Sequence, residues 1–191
     1  MAKARKKQGS CHPALRTLIL CQGEVTEKIY FDEMRKLLRW SAADIKCAAK
    51  DPCTLVKKAS SHMKNKDYDR VFIIVDHDDT DRESLNRAAA EAKKSNFNLI
   101  ISHSCFEVWL LAHYEKVSPP GIENSTLVNK LVGHGCYAYS GDKKPSQSFP
   151  YHSWKDAENN LPTHLPNEVA DNPSTAVPYV IRALIDDQPH H

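Results

Sequence analysis

Carboxylate side chains follow two apolar segments of the chain, and their spacing suggests metal chemistry. In VFIIVDHD, Asp76 and Asp78 come directly after a run of β-branched residues, and in LILCQGE, Glu24 follows a second apolar run. Like charges this close repel each other, and a bound divalent cation would offset the repulsion. All-oxygen, carboxylate-rich sites suit Mg²⁺ or Mn²⁺ rather than zinc. The alternative is a surface loop, since aspartate is also common in turns and at helix starts.

The segments around these carboxylates alternate between strand and helix. That order predicts an α/β protein with a mostly parallel, Rossmann-like sheet and helices on both faces. Hydrophobic periodicity predicts strands at 15–20, 43–48, 70–75 and 98–102, and helices at 27–39, 52–64, 84–95 and 105–115.

A sheet of this kind would bring the three carboxylates together. Functional groups gather at the carboxyl ends of parallel strands, so Glu24 is expected to meet Asp76 and Asp78 there. Residues i and i+2 of an extended segment face the same way. Asp76 and Asp78 should therefore point together, with His77 turned aside.

The chain divides into three parts by composition. A basic, disordered tail is expected at 1–13, an α/β core at 14–118, and a helical extension at 119–191. The extension contains a long loop at 133–152 and short helices at 126–132, 154–161 and 178–187. Proline and glycine at 119–121 mark the change.

Composition excludes several classes of protein. The 191 residues carry a formal net charge of +2, with 41% apolar and 26% charged residues, which is ordinary for a globular protein. None of the six cysteines forms a C-x-x-C pair, so reduced thiols are expected rather than a disulfide framework or a zinc site. The apolar run after the basic start is too short for a signal peptide, and no run approaches the length of a membrane span. We expect a cytoplasmic protein.

Further polar residues surround the expected site. Thr80 with Glu83, and Ser104 with Glu107, fit capping boxes that would open the third and fourth helices. Glu107 has a second interpretation, as a residue near the carboxylate edge. Four residues could lie beside the metal ligands and support them: Glu27, His77, His103 and Glu107. Surface exposure is expected for the two histidines.

Basic and aromatic residues suggest where nucleic acid could bind. The 133–152 loop interleaves lysines with aromatic rings, so bases could stack on the rings while lysines meet phosphates. The alternative is a loop that its own aromatic residues pack onto the domain. The residues considered for nucleic-acid binding are Lys28, Arg35, Tyr139, Lys143 and Lys144.

Three segments carry a resemblance to a known family. CQGEVTEKIYF, SHSCFEVWLLAHYE and NPSTAVPYVIRALI resemble the RloB-like family over about Leu15 to Leu184. A strand ending in a glycine-linked glutamate, followed later by a strand ending in Asp-x-Asp, resembles the Toprim fold of topoisomerases, primases and several nucleases.

This resemblance implies a Mg²⁺- or Mn²⁺-dependent nuclease of prokaryotic anti-phage defence, often encoded beside a P-loop ATPase partner. By the family pattern Glu24 would be the general acid/base, and Asp76 and Asp78 would bind the metal with it. DNA and RNA remain alternative substrates. Two other functions stay open: a non-catalytic nucleic-acid-binding or adaptor subunit of a defence or restriction complex, and a small-molecule phosphohydrolase with the same metal site.

Overall fold

The protein is an α/β fold built on a central sheet. The computed structural model describes residues 15–65, 68–78 and 80–186. In chain order the elements are β1 (Thr17–Cys21), α1 (Thr26–Leu37), β2 (Ala43–Cys47), α2 (Pro52–Asn65), β3 (Arg70–Asp76), α3 (Arg82–Lys94), β4 (Asn98–His103), α4 (Glu107–Ala112), α5 (Asn124–Gly133), α6 (Trp154–Asn160), β5 (Ser174–Thr175) and α7 (Val177–Asp186).

The sheet has five strands in the order β2-β1-β3-β4-β5. β1 to β4 are parallel, and β5 pairs antiparallel with β4. The fold is therefore the mostly parallel, Rossmann-like sheet that the alternation of elements predicts. β1 and β3 lie inside the sheet and are apolar on both faces, as a strand covered on both sides must be.

Helices cover both faces of the sheet. On one face, Leu18, Leu20 and Ile73 pack with buried residues of α2 and α3. On the other face, Ile19 and Ile74 belong to a larger core that includes α1, α4 and α7. The two faces follow from the period of two along each strand.

The C-terminal extension packs on this second core. The 119–186 part contributes buried residues from α5, α6 and α7 to the same cluster as β1 and β3. β5 lies beside the end of β4, where the Ala176 N–H donates to the Ile101 carbonyl at 3.2 Å. The extension therefore reaches the carboxyl edge of the sheet.

Both capping boxes predicted from the sequence are wrong. Asp81 caps α3 instead of Thr80, because its side chain accepts from the Ser84 N–H at 2.8 Å. No side-chain cap is made at the start of α4. Ser104 instead donates to Asn124 Oδ1 at 2.5 Å, so Glu107 has no capping role.

Some expectations fall outside the described residues. They are the basic tail at 1–13, Asp79, and the last five residues, 187–191. Within the described part of the chain, no helix combines the length and apolar character needed to cross a membrane.

A carboxylate cleft as the candidate functional site

A cleft of about 480 Å³ opens at the carboxyl edge of the sheet. It lies among the β1–α1 loop, the end of β3, the start of α4 and the loop between α5 and α6. We call it the carboxylate cleft after the charged residues in its lining, which are Glu24, Glu27, Asp76, Asp78, Glu107 and Lys143.

Asp76 occupies the base of the carboxylate cleft at the end of β3. Its backbone N–H donates to Gln22 Oε1 at 3.1 Å, which ties the end of β3 to the end of β1. The Phe106 N–H is close enough to its carboxylate to lower the pKa of Asp76 slightly. One carboxylate oxygen, Oδ1, is buried and has no hydrogen-bond partner among the described residues.

The surroundings of Asp76 favour its protonated form. Burial holds the pKa of Asp76 well above its usual range, and the negative charges of Glu27, Glu107 and Asp78 raise it further. An unpartnered carboxylate oxygen in such a place is costly to the fold unless something binds to it.

Asp78 lines the same cleft as Asp76, as the alternation of an extended segment predicts. His77 turns the other way and packs against His103, with ring centroids 4.7 Å apart and the ring planes tilted by 39°. The Asp78 N–H donates to the Ser104 carbonyl at 3.1 Å. This bond fixes the Asp-x-Asp segment against the start of α4.

Glu27 is the buried carboxylate of the β1–α1 region, with only 4% of its surface exposed. The Gly23 N–H donates to its Oε1 at 3.0 Å, so the side chain folds back over the loop. Burial raises the pKa of Glu27 and the charge of Glu107 adds to the rise, while the Gly23 N–H and Lys143 oppose it. A Cβ atom at Gly23 would overlap the Glu27 carboxylate, so this close approach requires glycine.

Glu24 also lines the cleft, but it is exposed at the rim. Its position next to Gly23 is what makes it fit the family pattern of a catalytic glutamate. The folded chain instead buries the residue one helical turn later, Glu27. The structure therefore brings both glutamates to the cleft, with different exposure.

Glu107, the first residue of α4, is the remaining acidic residue in the lining of the carboxylate cleft. Its Oε1 accepts a hydrogen bond at 3.1 Å from the Tyr137 hydroxyl, which belongs to the C-terminal extension. Burial and the charge of Glu107 raise the pKa of Tyr137. The hydroxyl therefore stays protonated and donates to the carboxylate.

Lys143 brings a positive charge to this acidic cleft. The Thr26 hydroxyl at the start of α1 donates to the Lys143 carbonyl at 2.9 Å, which anchors the loop to the core. Within that loop Tyr137 and Phe149 are buried, so the aromatic residues largely pack the loop onto the domain.

The other residues considered for nucleic-acid binding are placed differently. Lys28 and Arg35 form ion pairs with Asp32 at 2.6 and 3.1 Å on the outer surface of α1. Lys144 is exposed beside Lys143 but lies outside the lining of the carboxylate cleft. Tyr139 is 64% exposed.

The expectation that His103 is surface-exposed is wrong. His103 is 2% exposed and lies between the rings of His77 and His164. Burial lowers its pKa to about 4, and the neighbouring histidines add to this effect. The three rings pack where β4 meets the extension, outside the lining of the cleft. His113 is also buried, with its Nδ1 3.0 Å from the Pro150 carbonyl oxygen.

The donor atoms of the carboxylate cleft suit a hard divalent cation. Across 15–65, 68–78 and 80–186, no three His, Cys, Asp or Glu side chains are already arranged as a metal-ligand set. The chemistry of the lining nevertheless fits Mg²⁺ or Mn²⁺, because its acidic residues offer several carboxylate oxygens. One of these, Asp76 Oδ1, is a buried acceptor with no hydrogen bond among the described residues.

The fold and the site define a class: an α/β protein with a carboxylate cleft at the carboxyl edge of its sheet. Comparison with known families gives the closer assignment. The family model described as RloB-like protein matches residues 17–184, and the chain belongs to this family. Neither the curated proteins nor the solved structures gave a match.

Proposed function

We propose that this protein is a Mg²⁺- or Mn²⁺-dependent nuclease that hydrolyses phosphodiester bonds at the carboxylate cleft. The observation that carries the proposal is the buried Asp76 Oδ1, which has no partner among the described residues and sits amid other carboxylates. Strongly perturbed carboxyl groups gathered in a cleft are a recognised sign of a functional site. A Toprim-like relationship, suggested by the sequence, is part of the same proposal.

Asp76 and Asp78 would hold the metal, with Glu27 and Glu107 as the nearest further carboxylates. When bound, the metal supplies charge stabilisation at the phosphate and at the departing oxygen. The Gly23 N–H holds the Glu27 carboxylate, and the Tyr137 hydroxyl holds that of Glu107. They are thereby positioned before substrate arrives.

Glu27 is better placed than Glu24 to exchange a proton during hydrolysis. It is buried, its pKa is raised, and Gly23 holds its Oε1, so that Oε2 can take or give the proton. A general acid/base works best when its pKa approaches the working pH. We therefore assign the general acid/base role to Glu27 and a rim position to Glu24.

Lys143 would bind a non-bridging oxygen of the scissile phosphate. It is the cation of the cleft lining, and the Thr26 bond to its backbone holds the loop in place. An ammonium group aimed at a phosphate stabilises the charge that develops there. The C-terminal extension would thus complete the site.

A small-molecule phosphohydrolase is the second candidate. The volume of about 480 Å³ lies within the range of small-ligand sites, and so would accommodate a mononucleotide. This alternative predicts turnover of nucleotides without cleavage of polymers.

One substrate panel tests the proposal. Purified protein is incubated with plasmid, single-stranded DNA, bulk RNA, tRNA and mononucleotides, with Mg²⁺, Mn²⁺ or chelator, beside Asp76→Asn. We expect metal-dependent cleavage of a polymer that disappears in Asp76→Asn. Turnover of mononucleotides alone would select the second candidate. Equal cutting by Asp76→Asn would place the chemistry elsewhere.

The biological setting belongs to the same proposal. The resemblance of the sequence supports an effector of anti-phage defence that acts with a P-loop ATPase. If the purified chain alone cleaves no substrate, the panel is repeated with a P-loop ATPase encoded beside it and with phage-infected extract. Absence of cleavage under both conditions would favour a non-catalytic adaptor subunit.

A further inference from the structure

Two cysteines end adjacent strands directly beside the carboxylate cleft. Cys21 is the last residue of β1 and Cys47 the last residue of β2, and they are direct partners in the parallel register. Both pack with the same core cluster, so their side chains lie on the same face of the sheet. Neighbouring strands are about 4.8 Å apart, which is within the Cα separations that disulfides span.

The two thiols have different surroundings. Cys21 is fully buried, whereas Cys47 is half-buried on the edge strand. The interaction between the two thiols lowers the pKa of Cys47, as does the charge of Lys28, while it raises the pKa of Cys21 together with burial. Cys47 is therefore the thiol that forms a thiolate more readily and is more accessible.

We propose that Cys21 and Cys47 form a reversible intramolecular disulfide, a thiol modification site separate from the carboxylate cleft. This inference does not depend on the proposed nuclease activity. It requires an oxidant of the low-molecular-weight disulfide class, such as oxidised glutathione.

The exposure of each thiol sets the order of the reaction. Cys47 thiolate attacks the external disulfide, forming a mixed disulfide and releasing one thiolate. Cys21 then attacks Cys47 Sγ, which breaks the mixed disulfide, and the Cys21 proton passes to the departing second thiolate. Two protein thiols are oxidised, and one external disulfide is reduced to two thiols.

The bond would restrain the loop that carries the cleft residues. Gln22 follows Cys21 directly, and its side chain bonds to the Asp76 N–H at 3.1 Å and to the Lys50 carbonyl at 3.2 Å. A covalent link between β1 and β2, one residue before Gln22 and three before Lys50, would restrain the Gln22–Lys50 part of that bridge. Amide hydrogen exchange should therefore slow at 22–27 and 46–50 after oxidation.

The test is oxidation of the native full-length protein with oxidised glutathione, followed by non-reducing peptide mass spectrometry. We expect a linked peptide pair containing Cys21 and Cys47, lost on reduction, and slower exchange at 22–27. Cys47→Ser should remove the linkage and leave Cys21 unmodified, because it is buried. Cys53→Ser is the matched control, since Cys53 is a half-buried thiol on α2, and it should keep the linkage.

Two results would overturn the inference. One is recovery of Cys21 and Cys47 as separate, alkylatable thiols from oxidised protein that remains folded by circular dichroism. The other is a stable mixed disulfide on Cys47 that Cys21 never resolves. If the linkage forms but amide exchange at 22–27 does not change, the disulfide is confirmed and its predicted effect on the cleft loop is refuted.

Discussion

The Glu27 carboxylate lies against the backbone of Gly23, whose N–H donates to Glu27 Oε1 at 3.0 Å. This contact turns a glutamate on the first turn of α1 back into the carboxylate cleft and keeps it buried. The missing Cβ of Gly23 provides the space, so the position of one acid depends on the size of another residue.

Gly23→Ala should therefore displace Glu27 while the sheet stays folded. The new Cβ overlaps the carboxylate, and the side chain must leave the loop. Misplacing a catalytic group by about 1 Å can cost about 10²-fold in rate, so we expect a loss of this order in metal-dependent cleavage. Gly133→Ala is the matched control, because a Cβ there meets nothing within 4 Å, and it should cleave normally. Equal activity of the two variants would show that Glu27 need not sit where it does.

Glu27→Gln and Glu24→Gln should differ in their effects. The buried Glu27 is assigned the proton-transfer role, which typically contributes about 10²–10⁴-fold. Glu24 is exposed at the rim, so its replacement should change kcat by less than about 10-fold. Single-turnover cleavage rates measure both. A larger loss for Glu24→Gln would restore the role that the sequence pattern gave to Glu24.

Asp76→Asn should stabilise the metal-free protein at neutral pH. The folded chain raises the pKa of Asp76 and of Glu27, so it keeps their protons to higher pH than the unfolded chain does. The contribution of these two groups to stability must then fall as pH rises from about 4 through the raised folded-state pKa values. Removing one buried charge should return about 1–3 kcal/mol, or several degrees in Tm.

Thermal unfolding in chelator between pH 4 and pH 8 measures this effect. The buried neutral histidines His103 and His113 act in the opposite direction in both proteins, so the informative quantity is the difference between the two. The stability of Asp76→Asn relative to the wild type should grow as pH rises. Glu83→Gln on the exposed surface of α3 serves as the control and should follow the wild type. Parallel curves for wild type and Asp76→Asn would contradict the account of the Asp76 environment.

Lys143→Ala should move the pH dependence of cleavage. Lys143 opposes the rise in the pKa of Glu27, so its loss should raise that pKa further. If Glu27 acts as the base, the acid limb of the kcat/KM profile shifts to higher pH, and KM rises because a phosphate contact is lost. Lys144→Ala, one residue along and outside the cleft lining, should leave the profile in place. A uniform drop in rate without a shift of the pH profile would show that Lys143 does not act on the pKa of Glu27.

The sequence predicts the sheet and part of the cleft because those depend on local patterns. Apolar runs and helical spacing define β1 to β4, and the i, i+2 rule places Asp76 and Asp78 together. β5 has only two residues and no apolar pattern of its own, so only its pairing with β4 reveals it.

The positions of Glu27 and Glu107 in the cleft cannot be predicted from local sequence patterns. The burial of Glu27 depends on its fold-back over Gly23, and Glu107 meets Tyr137 thirty residues away along the chain. The capping-box pattern favoured a local partner for Glu107, and the long-range contact took its place. The burial of His103 likewise depends on a distant segment, since the extension covers it beside His164.

The most direct test of the central claim is Mn²⁺ binding to the purified chain, measured by electron paramagnetic resonance with calorimetry alongside. This measurement does not require a substrate or a partner. We expect saturable binding that Asp76→Asn weakens by more than about 10-fold, or about 1.4 kcal/mol, and that the surface variant Glu83→Gln leaves unchanged. Absent binding, or equal binding by wild type and Asp76→Asn, would contradict a metal site at the carboxylate cleft.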